Sequence, residues 1–213
     1  MEKDKLRIWL VPFNKNIKSI SLEEEQFSEK LTPIRCFQYQ FSRGYARLVL
    51  SHIFNIKPLE VPLFSPPGKP PILADNYGFL SISHCSNALL LAWSNKPVGA
   101  DIERFDRSFS PEKLSKKFYS EKDKTILSNY NGESLRDKAL DFWIVKEAAI
   151  KLMKSNFVKE LNQWEWDENK CIASHRENDY MVKVMKLDFY DWKIAIAFDK
   201  KITKKFCPIC FYE

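Results

Sequence analysis

The chain has 213 residues, of which 45% are hydrophobic and 14% aromatic, a composition that supplies a folded core and excludes a wholly disordered protein. Its 34 Lys and Arg residues exceed its 28 Asp and Glu residues, and the net charge of +6 favours anionic partners such as phosphates, nucleic acid or an acidic protein surface. The sequence has no signal-peptide pattern and no apolar run long enough to span a membrane, so we expect a cytoplasmic protein.

The first half begins with one predicted strand and two predicted helices. Leu6–Val11 is typical of a strand, and Ser21 followed by three glutamates predicts a helix over about residues 21–30. Apolar residues at helical spacing predict a second helix over Phe41–Phe54. Arg43 and Arg47 share one face of it, and composition alone favours a solvated basic face for them.

Six prolines between residues 58 and 71 predict an extended connector rather than a helix or strand. The connector carries Gly68-Lys69-Pro70, a lysine on a stiff backbone. This segment suits the wall of a ligand groove, and a surface linker is an equal alternative.

Three apolar segments separated by turn residues follow. Phe79–Ser83, which ends at His84, then Ala88–Trp93 and Val98–Glu103 predict a three-stranded antiparallel meander. The meander would bring His84 near the middle of the molecule. A lone histidine is more often a core or surface residue than a functional one.

The second half is predicted to contain three helices and then strands. Helices are expected to begin after Ser110 and Ser120, because each serine precedes acidic residues, and a long helix is expected over about residues 133–154. Short strands are predicted at residues 164–166, 171–173, 180–187 and 192–198, the last with Trp192, Ile194, Ile196 and Phe198 on one face.

The five cysteines are scattered and odd in number, which does not indicate a disulfide framework. Cys207 and Cys210 have the spacing of a metal knuckle, but a structural zinc needs four ligands and no second pair is present. We therefore expect reduced cysteines.

The order of elements repeats approximately, since a helix-containing segment followed by a hairpin occurs on both sides of residue 98. Residues 1–97 and 98–213 are therefore predicted to form an N-terminal and a C-terminal half of one α+β unit. Residue identity between the halves is negligible, so a duplication is only suggested. A cleft between two such halves is a common place for a ligand.

Two acidic residues share one face of a predicted strand, and a third acid and a lysine share one face of the long predicted helix. Asp101 and Glu103 leave the same face of the predicted strand, and Trp143, Glu147 and Lys151 stack on one face of the long helix. Three carboxylates and a lysine suit a divalent cation beside a phosphate. The alternatives are an exposed strand end for Asp101 and Glu103, and a surface ion pair for Glu147 and Lys151.

Two other functions use similar residues. A magnesium-dependent nuclease also needs clustered acids and a lysine, although nucleases of the Glu-x-Lys type place that lysine two residues after a strand acid, where this chain has Phe105. A non-catalytic anion-binding module would use the basic surface alone, and would leave the three acids without a role.

The motifs resemble a known enzyme family. Gly99-Ala100-Asp101-Ile102-Glu103, followed about forty residues later by Trp143-x-x-Lys146-Glu147-x-x-x-Lys151, closely resembles the two signature motifs of the 4′-phosphopantetheinyl transferases. Ser81-Ile82-Ser83-His84, Gly68-Lys69-Pro70 and the segment from Phe118 to Asp123 are similar to the larger, monomeric, surfactin-synthetase-activating branch. The resemblance covers about residues 40–155.

The resemblance implies a pseudo-twofold fold of two similar halves, each a small, mostly antiparallel sheet with packed helices. Coenzyme A and Mg²⁺ would lie in the cleft between the halves. The implied reaction transfers the 4′-phosphopantetheine arm of coenzyme A to a serine of an acyl or peptidyl carrier protein and releases adenosine 3′,5′-bisphosphate. A monomer that binds neither nucleic acid nor membrane is implied as well.

The resemblance also implies roles for particular residues. Asp101, Glu103 and Glu147 would hold Mg²⁺, with Glu147 also acting as general base, and Lys151 would neutralise the pyrophosphate. The remaining matched residues would bind the nucleotide and its phosphates: Arg43, Lys69, Ser83 and His84. Lys30 and Arg35 align only loosely with the family's further basic residues, so contacts with the 3′-phosphate have the least support.

Overall fold

The computed structural model describes residues 5–155 and 160–199 and the backbone of a short final strand. The elements of the first half are β1 (Leu6–Pro12), α1 (Leu22–Ser28), α2 (Pro33–Phe54), a 3₁₀ turn (Pro58–Glu60), β2 (Leu63–Phe64), β3 (Ile72–Leu73), β4 (Phe79–His84) and β5 (Ala88–Ser94). The later elements are β6 (Val98–Arg104), α3 (Pro111–Phe118), α4 (Glu121–Leu127), α5 (Gly132–Met153), β7 (Trp164–Asp167), β8 (Ile172–His175), β9 (Met181–Phe189), β10 (Trp192–Phe198) and β11 (Cys210–Phe211).

The helices begin where the capping residues predicted. Ser21 accepts a hydrogen bond from the backbone of Glu24 at the start of α1, and the Glu24 carboxylate accepts one from the backbone of Ser21. Ser120 and Asp123 form the same reciprocal cap on α4. The long helix α5 ends at Lys154, which adopts the left-handed conformation with φ 54°. The predicted helix boundaries are thus confirmed to within a few residues, except that α2 begins eight residues before the predicted start.

The strands form two larger sheets and a small ribbon, which confirms an α+β fold with mostly antiparallel pairing. The first sheet has the order β11-β1-β5-β4, and the second has the order β6-β10-β9-β8-β7. Among the described strands, every pair is antiparallel except β1 with β11, whose residues 210–211 add a parallel strand to the first sheet.

The predicted meander is wrong, because its third strand joins the other sheet. β4 pairs with β5, as expected for a hairpin, but β6 pairs along its whole length with β10, from Val98 opposite Phe198 to Arg104 opposite Trp192. The ladder partner of β6 is therefore a strand that lies about 90 residues further along the chain. Turn residues report local reversals only, and they carry no information on such a distant partner.

The proline-rich connector is more ordered than predicted. Pro58–Glu60 forms a 3₁₀ turn, and Leu63 and Phe64 pair with Leu73 and Ile72 in a two-stranded ribbon. The ribbon is short because the prolines that flank it cannot donate backbone hydrogen bonds. Its loop carries Gly68, whose φ of 72° is readily adopted only without a side chain.

Three apolar clusters hold the elements together. One packs α2 against the first sheet, another packs α5 against the second, and the third lies between the two sheets. The predicted apolar face of β10 is confirmed in the third cluster, which contains Trp192, Ile194, Ile196 and Phe198. The two sheets therefore meet along β6 and β10, next to the edge strand β4.

Two sequence expectations concern the chain as a whole. Among the described helices, none combines the length and the apolarity that a membrane span needs. The described cysteines Cys36, Cys85 and Cys171 are free thiols, while Cys207 lies outside the described residues.

Candidate active site

A cleft of about 790 Å³ opens where β4, β6 and the C-terminal half of α5 meet. Eight residues that the resemblance assigned to the site lie along it: Arg43, Lys69, Ser83, His84, Asp101, Glu103, Glu147 and Lys151. Lys30 and Arg35, which align only loosely, are not among the residues that line it. They come from α2, the ribbon loop, β4, β6 and α5, so that elements on both sides of residue 98 form its walls.

Three carboxylates converge at the bottom of the cleft. Asp101 and Glu103 leave the same face of β6 and point toward α5, where Glu147 completes the group. One oxygen from each carboxylate lies within 4.8 Å of the other two. Asp101 is buried, with 2% of its surface exposed, so the alternative that it sits on an exposed strand end is wrong.

Gly99 allows β6 and α5 to approach closely enough for this convergence. A Cβ atom on Gly99 would lie 1.9 Å from the carbonyl oxygen of Ala148 and 2.4 Å from the backbone nitrogen of Leu152. Any side chain at this position would push the helix away from the strand. The glycine of the motif therefore determines how near Glu147 comes to Asp101.

Lys151 and Ser83 hold one oxygen of Asp101. The Lys151 ammonium lies 2.5 Å from Asp101 Oδ1 and donates to Ser83 Oγ at 2.9 Å, while Ser83 Oγ lies 2.7 Å from the same Asp101 oxygen. Lys151 Nζ is also 3.4 Å from Glu147 Oε2. These contacts lie inside the cleft, so the alternative of a surface ion pair between Glu147 and Lys151 is wrong.

The crowding of like charges shifts the protonation of the carboxylates. Burial, reinforced by the charge of Asp101, raises the pKa of Glu103 to about 7, although Arg107 and Lys151 oppose the shift. Burial and the same neighbouring charge raise the pKa of Glu147 to about 8. A bound cation would displace the protons of both glutamates into solution, because it competes with them for the carboxylate oxygens.

The carboxylates fit a hard divalent cation such as Mg²⁺. Asp101 Oδ2 is buried and accepts no hydrogen bond, which is costly for a carboxylate oxygen unless a cation is near. Three oxygen ligands of this kind, with space in the cleft for water, are the donors that Mg²⁺ prefers. Asp101, Glu103 and Glu147 would hold the ion.

The basic side chains of the cleft differ in pKa and in exposure. Burial lowers the pKa of Lys151, but the charges of Asp101 and Glu147 outweigh this effect and raise it above the ordinary value. Loss of surrounding water, with the charge of Lys151, lowers the pKa of His84, although this side chain is exposed at the mouth of the cleft. Lys69 is exposed on the ribbon loop.

Arg43 and Arg47 are buried, so the expected solvated basic face of α2 is wrong. Arg43 donates to the Ser65 carbonyl and to Ser42 Oγ and lies over the ring of Tyr39 at 4.3 Å, while it still reaches the cleft wall. Arg47 forms a bidentate pair with Glu24 at 2.7 and 3.1 Å and so attaches α1 to α2. Partners distant in sequence offset the desolvation of both guanidinium groups.

Arg107 is a site residue that sequence reasoning missed. Its guanidinium pairs with Glu103 and lies 5.1 Å from the centre of the Trp143 ring. The turn after β6 aims the side chain back at Glu103, four residues earlier, and no helix was predicted there to suggest the contact. The backbone carbonyl of Arg107 accepts a hydrogen bond from Arg136 at 2.5 Å, which fixes the turn.

Lys154 was missed as well, although helical spacing offered a signal. It follows Lys151 by three residues and lines the cleft at the end of α5. The apolar pattern ends at that point, so the lysine resembled an ordinary C-terminal residue of a helix.

Lys146, next to Glu147, faces the opposite side of α5. Its ammonium is fully buried, lies 2.6 Å from Asp123 of α4, and donates to the carbonyls of Leu161 and Trp164. Lys146 therefore ties α5 to α4 and β7 and sets the rotation of the helix that presents Glu147 to the cleft.

Residues 97–197 match the family model described as the 4′-phosphopantetheinyl transferase superfamily. This region contains the three acidic residues and the α5 lysine of the site. The chain is 23% identical over 170 residues to the 4′-phosphopantetheinyl transferase HetI of Nostoc sp. strain PCC 7120, an alignment that covers 73% of this chain and 71% of that protein. It is 27% identical over 161 residues to the 4′-phosphopantetheinyl transferase gsp of Aneurinibacillus migulanus, covering 74% and 66% of the two chains. Over residues 97–197 the chain is thus similar to the 4′-phosphopantetheinyl transferase superfamily, and the two relatives support an enzyme of that class.

Proposed function

We propose that this enzyme transfers the 4′-phosphopantetheine arm of coenzyme A to a serine of an apo acyl or peptidyl carrier protein, with Mg²⁺ as cofactor. The observation that supports this function best is the composition of the cleft. It has three converging carboxylates at one end, a lysine in contact with two of them, and Arg43, Lys69 and His84 along the wall.

In the proposed reaction the serine oxygen attacks the β-phosphorus of the coenzyme A pyrophosphate. A bond forms between the serine oxygen and phosphorus, the bond from phosphorus to the bridging oxygen breaks, and adenosine 3′,5′-bisphosphate leaves. A bound Mg²⁺ would supply positive charge against the pyrophosphate. Asp101, Glu103 and Glu147 would hold that ion.

The side chains of the chain have distinct roles in this proposal. Glu147 accepts the proton of the attacking serine, because it lies with Asp101 and Glu103 in the cluster that would hold the ion and is therefore close to the reacting phosphate. Lys151 balances the charge that develops on the leaving bisphosphate. Ser83 and His84 line the cleft beside Lys151, where they would bind phosphate oxygens.

The nucleotide would lie along the basic wall. Lys69 is exposed on the stiff ribbon loop and is free to approach a phosphate, whereas Arg43 is fixed by Ser65 and Ser42 and presents a preorganised charge. Arg35 is exposed and near enough to lower the pKa of His84, which supports a place for it at the same end of the cleft.

We further propose that the enzyme acts as a cytoplasmic monomer of two halves, residues 1–97 and 98–213, without nucleic acid or membrane partners. The cleft supports this proposal, because a single chain supplies the carboxylates, the lysine and the basic wall. The mass of the particle in solution, measured by light scattering, tests whether the enzyme is a monomer. A stable dimer would contradict it.

The function is tested by incubating the chain with coenzyme A, Mg²⁺ and an apo carrier protein and measuring the carrier's mass. We expect a gain of one phosphopantetheine arm, abolished by EDTA and by Asp101→Ala or Glu147→Gln. Glu177→Gln, a change at an exposed glutamate outside the cleft, is the matched control and should be fully active. No mass change with several carriers, together with cleavage of DNA or RNA, would support the nuclease alternative instead.

A further inference from the structure

β4 and β6 lie side by side where the two sheets meet, but in the part of the chain that the structure describes no backbone ladder joins them. The ladder partner of β6 is β10, on its opposite edge. Amide groups of β6 that point toward β4 therefore need acceptors other than the carbonyls of a paired strand.

Ser81 supplies such an acceptor. Its Oγ accepts a hydrogen bond from the backbone N–H of Ala100 at 2.9 Å, and both residues are buried. Alternation along β4 places Ser81 and Ser83 on the side that faces β6, while Leu80 and Ile82 pack with the α2 cluster. Two hydroxyl groups thus join the strands at the point where a ladder is missing.

These two hydroxyls act on consecutive residues of β6. Ser83 contacts the carboxylate of Asp101, and Ser81 holds the peptide of Ala100, immediately before it. Asp101 must direct a buried oxygen without a hydrogen-bond partner into the cluster, so its backbone has to be held at a defined position.

We propose that Ser81 is a positioning residue of the carboxylate cluster: its hydroxyl replaces the missing ladder bond between β4 and β6 and fixes the backbone that carries Asp101. Without the hydroxyl, the Ala100 amide is buried without a partner and the peptide turns toward another acceptor. Asp101 then loses its alignment with Glu103 and Glu147. The proposal rests on the proposed function only in that the cluster binds a divalent cation.

The test is the affinity of the metal-free full-length chain for Mn²⁺, which accepts the same oxygen ligands as Mg²⁺, measured by calorimetry. Ser81→Ala should weaken binding about tenfold or more, as is usual when the support of a metal ligand is removed. Ser81→Thr, which keeps the hydroxyl, should restore an affinity close to that of the wild type.

Val49→Ala is the control for a general loss of stability, since Val49 is buried in the α2 cluster away from the cleft. It should leave Mn²⁺ affinity unchanged. If Ser81→Ala does not fold, Ser81→Cys replaces it, because a thiol fills similar space but is a weak acceptor, and the same loss is expected.

The outcomes separate the two proposals. Wild-type affinity in Ser81→Ala, or in Ser81→Cys where the alanine variant does not fold, overturns the role of Ser81 and leaves the proposed function intact. If Val49→Ala weakens Mn²⁺ binding as much as Ser81→Ala does, the role of Ser81 is overturned as well, because the effect would then be one of stability. A wild-type chain that binds no Mn²⁺ overturns the metal assignment itself.

Discussion

Gly99 on β6 and Ala148 on α5 are in backbone contact across the interface that forms the cluster, and a Cβ atom on Gly99 would lie 1.9 Å from the Ala148 carbonyl oxygen. Glu147 is the residue before Ala148, and Asp101 lies two residues after Gly99. The close approach of strand and helix therefore brings a carboxylate of each into the same group.

Gly99→Ala should separate β6 from α5 and lower both stability and metal affinity. We expect a loss of about 1 to 3 kcal/mol in the free energy of unfolding, the usual cost of overpacking, measured by urea denaturation. Mn²⁺ binding should weaken in the same variant. Gly132→Ala is the control, because its Cβ would meet no atom within 4 Å although its φ is 51°, so it should lose stability without losing metal affinity.

Lys146→Met should destabilise the protein strongly. Lys146 and Asp123 form an ion pair in which neither side chain is exposed, and removal of the lysine leaves a buried carboxylate without its cation. The expected cost is about 3 to 5 kcal/mol, measured by urea denaturation.

Lys146→Met combined with Asp123→Asn should recover part of that loss. The asparagine oxygen can still accept the hydrogen bond from the Ser120 backbone that begins α4, without a buried charge. Equal stabilities for the single and double variants would contradict a coupling between the two residues.

The metal-free protein should lose stability as the pH rises through the range in which Glu103 and Glu147 titrate. Their pKa values are about 7 and about 8 in the folded state and 4.5 in an unfolded chain. Between these values the folded state binds more protons than the unfolded state, so the free energy of unfolding falls as the pH rises from about 4.5 to about 8.

The variant Glu147→Gln isolates this effect. The difference in unfolding free energy between wild type and variant, measured in EDTA, should shift against the wild type as the pH rises toward 8. Mg²⁺ should stabilise the wild type more at pH 8 than at pH 6, because at the lower pH it must displace protons. A difference that does not change with pH would contradict the raised pKa of Glu147.

Lys151→Met should separate metal binding from transfer. The lysine neutralises Asp101 and Glu147 but supplies no metal ligand, so Mn²⁺ affinity should be retained or increased when this competing cation is removed. The transfer rate should fall about 10²-fold or more, since the charge that stabilises the leaving group is lost. Lys170→Met, at an exposed lysine outside the cleft, should leave both quantities unchanged.

The positions of the site residues within strands and helices could be predicted from the sequence because they depend on local periodicity and capping. Asp101 and Glu103 share a strand face, and Glu147 and Lys151 share a helix face, whatever the rest of the chain does. The caps at Ser21 and Ser120 likewise depend on residues within one turn. The resemblance of the motifs then predicted that these faces meet.

Tertiary structure alone decided which strands pair and which charges are buried. The predicted meander was wrong because β6 pairs with β10. The predicted solvated face of α2 was wrong because Glu24 offsets the desolvation of Arg47 and the Ser65 carbonyl that of Arg43. Ser81 acts through a contact between two strands that no local spacing encodes, and Arg107 reaches Glu103 only because of the turn after β6. Local pattern thus determined which side chains are presented, and the packing of two sheets and two long helices determined what they face.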